Sequence, residues 1–550
     1  MMLLLIMFCN LIQPNITSYN IRQLIINMKI PKQIILKLSK SHPITHSELN
    51  TQIRQFCGEY KISPVQKIQL LTAYHKLVKQ GIIKTDSQLE KLLKKREIRT
   101  LSGVAPIAVL TKPYPCPGQC VFCPDETDMP KSYLSNEPAV MRAILNNFDP
   151  FKQVQMRLRA LAMTGHKTDK CELIVMGGTW SYLPRQYQTW FIKRCFDGFN
   201  GKTAKNLAQA QKWNQTAKFR VIGLTLETRP DYIDIKEIKR MRELGCTRVE
   251  LGVQTIDNKI LKLTKRGHFV EQTIKVTKLL KDAGFKISYH MMPNLPGSTP
   301  AKDLKIFKKL FSDQNFQPDM IKIYPCVVTK GAKIYKWLKK GSYQAYSDKQ
   351  LLDLLIKIKK TIPAYVRITR LIRDIPSESI ISGNKISNLR QLIHEKIEQT
   401  GQACQCIRCR EARNQPIELK SIKLKVIKYR ASDGLEYFLS YESKDKKTLF
   451  AFLRLRIPQN PEKELINVLP ELKNAALIRE LHTYGQLIPL KSKDKAVQHI
   501  GLGKRLMQQA EKIARQHKVN KISVISGIGV REYYKKLGYK LEDTYMVKNI

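Results

Sequence analysis

Between residues 29 and 100, apolar positions recur at three- and four-residue intervals with basic residues between them, as in "PVQKIQLLTAYHKLVKQGI". That period lays apolar side chains along one face of each helix, so a small helical domain is predicted over 28–100. From about residue 101 the texture changes. Short apolar runs appear at "CELIVMGG" (171–178), "FRVIGLTLETRP" (219–230), "TRVELGVQT" (247–255), "FKISYHMMPNLPG" (285–297), "DMIKIYPC" (319–326) and "YVRITRLIRDIP" (365–376). Helical patterns such as "DIKEIKRMRELG" and "EQTIKVTKLLKDAG" lie between them, each stopping at a glycine as helix C-termini often do. Strands alternating with helices in this way predict a parallel sheet curled into a full or partial (β/α) barrel over 101–385. In such barrels chemistry sits at the C-terminal ends of strands, where "GGTW", "ETRPD", "GVQT" and "PNLPG" fall. A cysteine-rich insert follows at 386–414. Then "LKVIKYRASDGLEYFLSYESKDKKTLFAFLRLRI" reads as two strands about "SDG", and the remaining strands and helices predict a separate α+β domain over 415–550.

Length and composition fit this picture of several globular domains: 550 residues, 43% hydrophobic and 8% aromatic, exclude a disordered chain. Charge adds something new. The chain carries 96 Lys and Arg against 46 Asp and Glu, a net +50. An excess of that size suits a polyanionic partner, nucleic acid first; a composition rich in lysine throughout is the plainer alternative. Residues 1–111 hold 16 Lys and Arg against 5 Asp and Glu, with Lys94, Lys95, Arg96 and Arg99 clustered at the end of the helical domain. The opening "MMLLLIMF" is an apolar run of eight residues, too short for a membrane span and without a basic stretch before it. Residues 1–27 read as an N-terminal extension, since "MKIPKQIILKLSK" from Met28 resembles a natural beginning. The expectation is a soluble, cytoplasmic protein with no membrane partner. Twelve cysteines, six of them in two tight sets, suit metal binding in a reducing compartment better than a disulfide framework.

The first set is Cys116, Cys120 and Cys123 in "KPYPCPGQCVFCPDE". Three thiolates complete neither a four-cysteine zinc site nor a fully ligated four-iron cluster. A [4Fe-4S] cubane on three thiolates leaves one iron open for a substrate. C-x3-C-x2-C is the spacing used by radical S-adenosylmethionine enzymes, and the loop stands just before the first expected strand–helix repeat. Gly177 and Gly178 in "MGGTW" form a turn at a strand end that lets backbone approach a bound methionyl group. A three-cysteine zinc site completed by a distant histidine is the alternative.

The second set, Cys404, Cys406 and Cys409, has the spacing C-x-C-x2-C, and His394 lies ten residues upstream. Three cysteines and one histidine form a usual structural zinc site, so these four are the candidate ligands of Zn2+, with a solvated helical histidine as the alternative for His394. A third feature is "QHIGLGKRLMQQAEKIARQ" (498–516), in which Gln498, Gly501 and Gly503 make a Q-x-x-G-x-G turn into an amphipathic helix. Backbone N–H groups at such a helix start can hold a pyrophosphate. A strand, "KISVISG", and then "REYYKKLGY" follow, an order that resembles the GNAT acetyltransferase fold with acetyl-CoA on the turn. Tyr534 is then placed to protonate the departing CoA thiolate, and Tyr533 beside it reads as a packing residue.

A three-thiol loop, a barrel and a GNAT-like domain in one chain resemble the catalytic subunit of Elongator, the tRNA uridine acetyltransferase family. The resemblance runs from about residue 95 to Ile550 through "EPAVMRAILNNFDPFKQVQMR", "MGGTW", "LETRPD", "RVELGVQT", "RGH", "MPNLPG", "RDIPS", "SNLRQL", "CIRCRE", "FLRLR", "IRELHTYG", "ISGIGVREYYKKLGY" and "YMVKNI". It implies a carboxymethyl group installed on carbon 5 of the wobble uridine of tRNA. In the family, reductive cleavage of S-adenosylmethionine gives a radical that activates the acetyl methyl group of acetyl-CoA, and an electron donor of unspecified kind completes the set. It also implies acetyl-CoA contacts at Glu480, Leu481, His482, Thr483, Leu502, Gly503, Lys504 and Tyr534, and at Lys170, read as a cation at the barrel mouth. Eukaryotic members have a longer spacer between the first two cluster cysteines. The short spacing of Cys116 and Cys120 points to a prokaryotic single-chain enzyme that needs no accessory Elongator subunits. Three alternatives stay open. A protein lysine acetyltransferase has no use for the three-thiol loop, a radical methylthiotransferase needs a further cysteine set, and a non-catalytic tRNA-binding scaffold needs neither.

Overall fold

The computed structural model describes residues 18–59, 62–63, 65–93, 103–386, 388–412, 422–484 and 501–550. The chain divides into two compact units, one of residues 1–100 with 159–167 and one of 101–158 with 168–550. The described residues of the first include the helices Ser18–Ser41, His46–Glu59, Lys67–Lys79 and Ser87–Leu93. Their inward stripe of Ile34, Ile35, Leu38, Leu49, Leu70, Leu77 and Leu89 is almost fully buried, worth about 1.5–3 kcal/mol for each large aliphatic. The first helix runs straight through Met28, and the cationic cluster at 94–99 lies outside the described residues. No helix among the described residues is long and apolar enough to cross a membrane.

The second unit is built on two seven-stranded sheets. The first contains β1 (Ala105–Leu110), β2 (Lys170–Met176), β3 (Arg220–Thr228), β4 (Arg248–Gln254), β5 (Lys286–Met291), β6 (Met320–Ile323) and β7 (Arg367–Arg370). They pair in sequential order and all in parallel, with β1 and β7 at the edges. The sheet is therefore a partial barrel. Strand β1 is missing from the sequence reading. It carries Pro106, which argues against a strand except at a sheet edge, where a missing N–H costs no ladder bond. The correction has a consequence: the first cysteine set follows a strand, as the loop leaving β1, rather than preceding the first repeat.

The second sheet contains β8 (Ile422–Arg430), β9 (Gly434–Ser443), β10 (Leu449–Pro458), β11 (Ala476–Thr483), β12 (Lys521–Val524), β13 (Lys540–Glu542) and β14 (Tyr545–Asn549), in the order β13-β14-β12-β11-β10-β9-β8. Only β11 and β12 pair in parallel. Ser432 and Asp433 both have positive φ, 46° and 52°, which makes the "SDG" hairpin a tight primed turn.

Charged residues join this sheet to the N-terminal ends of the barrel strands. Asp319, just before β6, accepts from Arg479 Nη1 at 2.9 Å, and Arg454 lies 3.6 Å away. Arg479 continues to Glu436 at 3.0 Å, Glu436 to Arg456 at 3.1 Å, and Arg456 Nε to Asp282 at 2.9 Å. All are at most 2% exposed. Burial alone would raise the Asp319 carboxyl, but Arg479, Lys281 and Arg454 outweigh it and hold it well below the usual carboxylate range. A depressed folded-state pKa gives stability that is present above the unfolded value, about 4, and is lost as pH falls. Asp319→Asn strands buried guanidinium groups and should cost about 3–5 kcal/mol. Thermal melts should show the loss at neutral pH, and the gap from wild type should close as pH falls below about 4. Equal melting temperatures at pH 7 would refute the assignment.

Candidate active site

The loop leaving β1 is fixed by backbone. Val121 N donates to Thr264 O at 3.0 Å, Ile334 N to Val121 O at 2.8 Å, and Asp125 N to Gly331 O at 3.2 Å. Val121 and Phe122 are buried with Ile260, Leu295 and Val328. Between these anchors stand the three thiols. Arg266 Nη1 donates to Cys120 Sγ at 3.4 Å, Gly118 N to Cys116 Sγ at 3.4 Å, and Thr179 Oγ1 lies 3.8 Å from Cys116 Sγ. Burial, with Cys120 beside it, pushes the Cys123 thiol up to about 12. Arg229 is held by Asp231 through two bonds of 3.0 and 2.7 Å, yet its buried Nη1 has no partner. A Cβ on Gly118 would sit 2.3 Å from that nitrogen, so the guanidinium points at the loop. Two cations beside the three sulfurs suit a bound anionic cluster.

Gly177 and Gly178, at the end of β2, have φ of 133° and 103°. A Cβ on Gly177 would lie 2.0 Å from Thr111 Oγ1, itself buried and without a partner. Only glycine fits there. Together with Met176, Trp180 and Glu227 they line a narrow crevice at the end of β2.

Inside the barrel runs a charged chain that sequence reasoning did not single out. Glu227 accepts from Tyr133 Oη at 2.8 Å and faces His290 Nδ1 at 3.3 Å. His290 Nε2 meets Glu250 at 3.1 Å, Lys322 also pairs with Glu250, and Arg248 reaches Glu172 at 2.7 Å. Burial works to raise Glu250, but Lys322, His290 and Arg248 hold it well below the carboxylate range. The signal was in the strands. A helix-covered parallel sheet is normally apolar on both faces, whereas Thr225 and Glu227, Arg248 and Glu250, and Ser288 and His290 each recur with period two.

Cys404, Cys406 and Cys409 have sulfurs all within 4.8 Å of one another. Tetrahedral zinc at about 2.3 Å from each sulfur puts ligands roughly 3.8 Å apart, so these suit a single ion. Among the described residues no other group of three is as tight. The wider set at Cys116, Cys120 and Cys123 suits a multi-iron cluster, whose ligands sit on different irons. His394 is not brought to the second set. Its ring is 58% exposed and Nδ1 faces Glu398 at 3.5 Å. The fourth-ligand expectation gives way to an i,i+4 contact along the helix.

The third region lies on β11. Its pairing with β12 ends at Ile478 and Val524, yet β11 continues to Thr483, so the strands part over Glu480, Leu481, His482 and Thr483. The opening between the two strands can take an extended amide-bearing arm. Glu480 is bound by Arg454 Nε at 2.8 Å, and His482 stacks on Phe452. Gln498 lies outside the described residues. Gly501 caps the following helix, Leu502–Gln516, with φ of 77°, open space where a side chain would be, and exposed Lys504 one turn on. Gly503 is buried. A Cβ on it would lie 2.8 Å from Tyr533 Oη and 3.8 Å from Thr483 Cγ2. The two tyrosines reverse the packing expectation: Tyr533 is 39% exposed with its hydroxyl at the helix start, while Tyr534 is 6% exposed. Burial raises the Tyr534 phenol, with Tyr533 and Glu480 adding to it.

Lys170 is the first residue of β2, not a residue of the mouth. The strand separates it from Gly177 by roughly 20 Å. It pairs in register with Arg220, and a Cβ on Gly529 would lie 2.6 Å from Arg220 Cβ. Lys170 therefore stands near the segment that leads into Tyr533 and Tyr534.

The Radical SAM superfamily profile matches residues 114–310, the Radical SAM C-terminal domain profile 318–399, and the acetyltransferase (GNAT) domain profile 492–549. The tRNA uridine(34) acetyltransferase of Methanocaldococcus jannaschii is 47% identical over 472 residues, 83% of this chain and 86% of that protein. Elongator complex protein 3 of Danio rerio is 40% identical over 478 residues, 83% and 86% of the two chains. Among solved structures, the archaeal Elp3 of Methanocaldococcus infernus with residues 1–46 deleted has 44% identity and a TM-score of 0.71, covering 82% of this chain and all of that one.

Proposed function

The chain belongs to the family of tRNA uridine(34) acetyltransferases and Elongator complex protein 3, and from that premise we propose that it carboxymethylates carbon 5 of the wobble uridine of tRNA, using acetyl-CoA. The observation that carries this reading is the pairing of two sites in one compact unit: an incomplete three-thiol loop at the C-terminal end of a Radical SAM barrel, and a splayed acetyl-CoA fork in the sheet joined to it.

Cys116, Cys120 and Cys123 would hold a [4Fe-4S] cluster, with S-adenosylmethionine against Gly177 and Gly178. Bound there, these groups supply one-electron chemistry able to activate a methyl C–H bond. The chain's own residues do the rest. Arg266 and Arg229 hold negative charge at the loop. Glu227, fixed by Tyr133 and His290, presents an acceptor beside the glycine turn. The N–H groups after Gly501 take the CoA pyrophosphate, aided by Lys504, and Glu480, Leu481, His482 and Thr483 line the pantetheine path. Burial keeps the Tyr534 phenol protonated, so it can give its proton to the CoA thiolate. Lys170 stands by the same segment as a cation for the acyl-CoA. The helical unit of residues 1–100 holds tRNA phosphates, an outside donor supplies electrons, and the enzyme works in the cytoplasm without accessory subunits.

Nucleoside mass spectrometry of tRNA incubated with acetyl-CoA, S-adenosylmethionine and a reductant tests the reading; unmodified uridine with cluster-loaded protein would overturn it. A lysine acetyltransferase has no use for the cysteine loop or the charged lumen, and that weighs against it.

Cys404, Cys406 and Cys409 hold zinc. Because a closed zinc site contributes folding energy, Cys404→Ser should lose zinc and lower the melting temperature while iron content stays unchanged. One zinc per chain retained in that variant would remove the assignment.

A further inference from the structure

Three tyrosines stand together on the loops that leave β1, β2 and β3. Tyr114 and Tyr182 are 37% and 42% exposed, and Tyr232 is partly so. Their ring centroids are 6.2 Å apart for Tyr114 and Tyr182, and 5.5 Å for Tyr182 and Tyr232, with interplanar angles of 63° and 86°. Neither contact is a face-to-face stack. Two edge-to-face contacts occupy at most two of the six ring faces, and Arg229, 5.7 Å from the Tyr232 centroid, covers one more. Open π faces remain at the barrel mouth, beside Cys116.

The backbone beneath the rings is constrained. Tyr114 stands between Pro113 and Pro115, which fix the backbone on either side. Tyr182 and Tyr232 each end a short 3-10 turn, Trp180–Tyr182 and Pro230–Tyr232. Exposed aromatic side chains grouped this way, when nothing in the fold needs them in the core, mark a binding surface. The charge around them decides for what. Lys112 is exposed two residues from Tyr114, Arg229 lies under Tyr232, and its neighbour Asp231 is neutralised by two hydrogen bonds to that same Arg229. Flat rings beside the exposed Lys112, with no free carboxylate among them, match unstacked bases and the phosphates between them.

We propose that Tyr114, Tyr182 and Tyr232 form a stacking platform for unpaired RNA bases, which receives the nucleotides flanking the uridine and sets it over the cysteine loop. The assignment rests on the tRNA-modifying reading above and adds residues that read the single-stranded character of the loop. A buried reaction centre cannot reach a stacked base, so bases beside the target must be held apart from one another. Preset rings do this with little loss of side-chain freedom.

The test uses the full, cluster-loaded chain and two RNAs: a hairpin with a seven-nucleotide loop carrying 2-aminopurine next to the uridine, and a blunt duplex of equal length. Wild type should bind the hairpin with a change in 2-aminopurine fluorescence. Tyr114→Leu, Tyr182→Leu and Tyr232→Leu keep apolar bulk but lose the π face, and each should weaken hairpin binding on the order of 5- to 100-fold. The Phe variants should bind as wild type does, and the duplex affinity should not change. Iron content and melting temperature identify any variant that fails to fold, and the remaining two then carry the test. Leu variants that bind the hairpin as wild type does would overturn the platform and leave the patch to a protein partner. Modification of whole tRNA, followed in parallel, separates the two readings. If wild type carboxymethylates tRNA while Leu variants bind normally, the platform alone fails. If wild type binds the hairpin through these rings and modifies nothing, the functional reading fails and the platform stands.

Discussion

Anaerobically reconstituted Cys120→Ala protein should lose its visible iron–sulfur absorbance and, with it, all carboxymethylation of tRNA. The loss should come from the missing ligand and not from a collapsed loop, because the loop is anchored elsewhere. Val121 is tied through its own N–H to Thr264 and through its carbonyl to Ile334, and its side chain and that of Phe122 are buried. Removing one sulfur touches none of these. Cys120→Ala should therefore melt close to the wild-type temperature, with the same acetyl-CoA affinity. Cys116→Ala and Cys123→Ala should behave alike, since three thiolates are all the protein supplies. Arg266→Met is the informative companion. It keeps the sulfurs but takes away the cation 3.4 Å from Cys120, so a cluster should still assemble and its reduction potential should shift to more negative values, as loss of a positive charge requires. A Cys120→Ala protein that keeps a full complement of iron and sulfide would refute the ligand assignment outright.

How much of this was legible beforehand depends on whether the signal is local. The thiol spacings, the glycine turn and the six strands flanked by helices are local patterns, and the structure places those six strands as the periodicity predicts. Strand β1 was hidden because Pro106 is tolerated only at an edge, and edge position is a property of the sheet. Lys170 was put at the mouth although a strand's first residue lies at the opposite end from its last. Which of Tyr533 and Tyr534 faces inward depends on a five-residue helix, Arg531–Lys535, too short to show a period. The Asp319 lattice joins residues from 281 to 479, and no local window contains it. The polar lumen is different. Its period-two signal was present in β3, β4 and β5, but a strand pattern of that kind usually means a solvent face and only the curl of the sheet turns it inward.

The second large effect is expected at Gly503. Gly503→Glu should reduce acetyl-CoA binding at least 100-fold and abolish carboxymethylation, with iron content unchanged. Two causes act together. Any Cβ at 503 meets the Tyr533 hydroxyl at 2.8 Å and pushes that ring off the helix start. The carboxylate then puts negative charge where the helix dipole and free N–H groups would receive the pyrophosphate. Gly503→Ala isolates the first cause. Because the clash is with the far end of a movable side chain, it should weaken binding only modestly. The cluster loop lies at the far ends of the barrel strands from this sheet, so S-adenosylmethionine cleavage uncoupled from tRNA should survive in both variants. The tyrosines complete the test. Tyr534→Phe should leave acetyl-CoA affinity nearly intact and slow turnover by about 10²- to 10⁴-fold, as expected for loss of a general acid. Tyr533→Phe should do the reverse, weakening binding at the turn while turnover of bound acetyl-CoA persists. Should Tyr533→Phe instead show the turnover defect, the exposed hydroxyl is the proton donor and the buried one is packing. Wild-type modification by Gly503→Glu would place the acetyl-CoA site elsewhere and end the two-site reading.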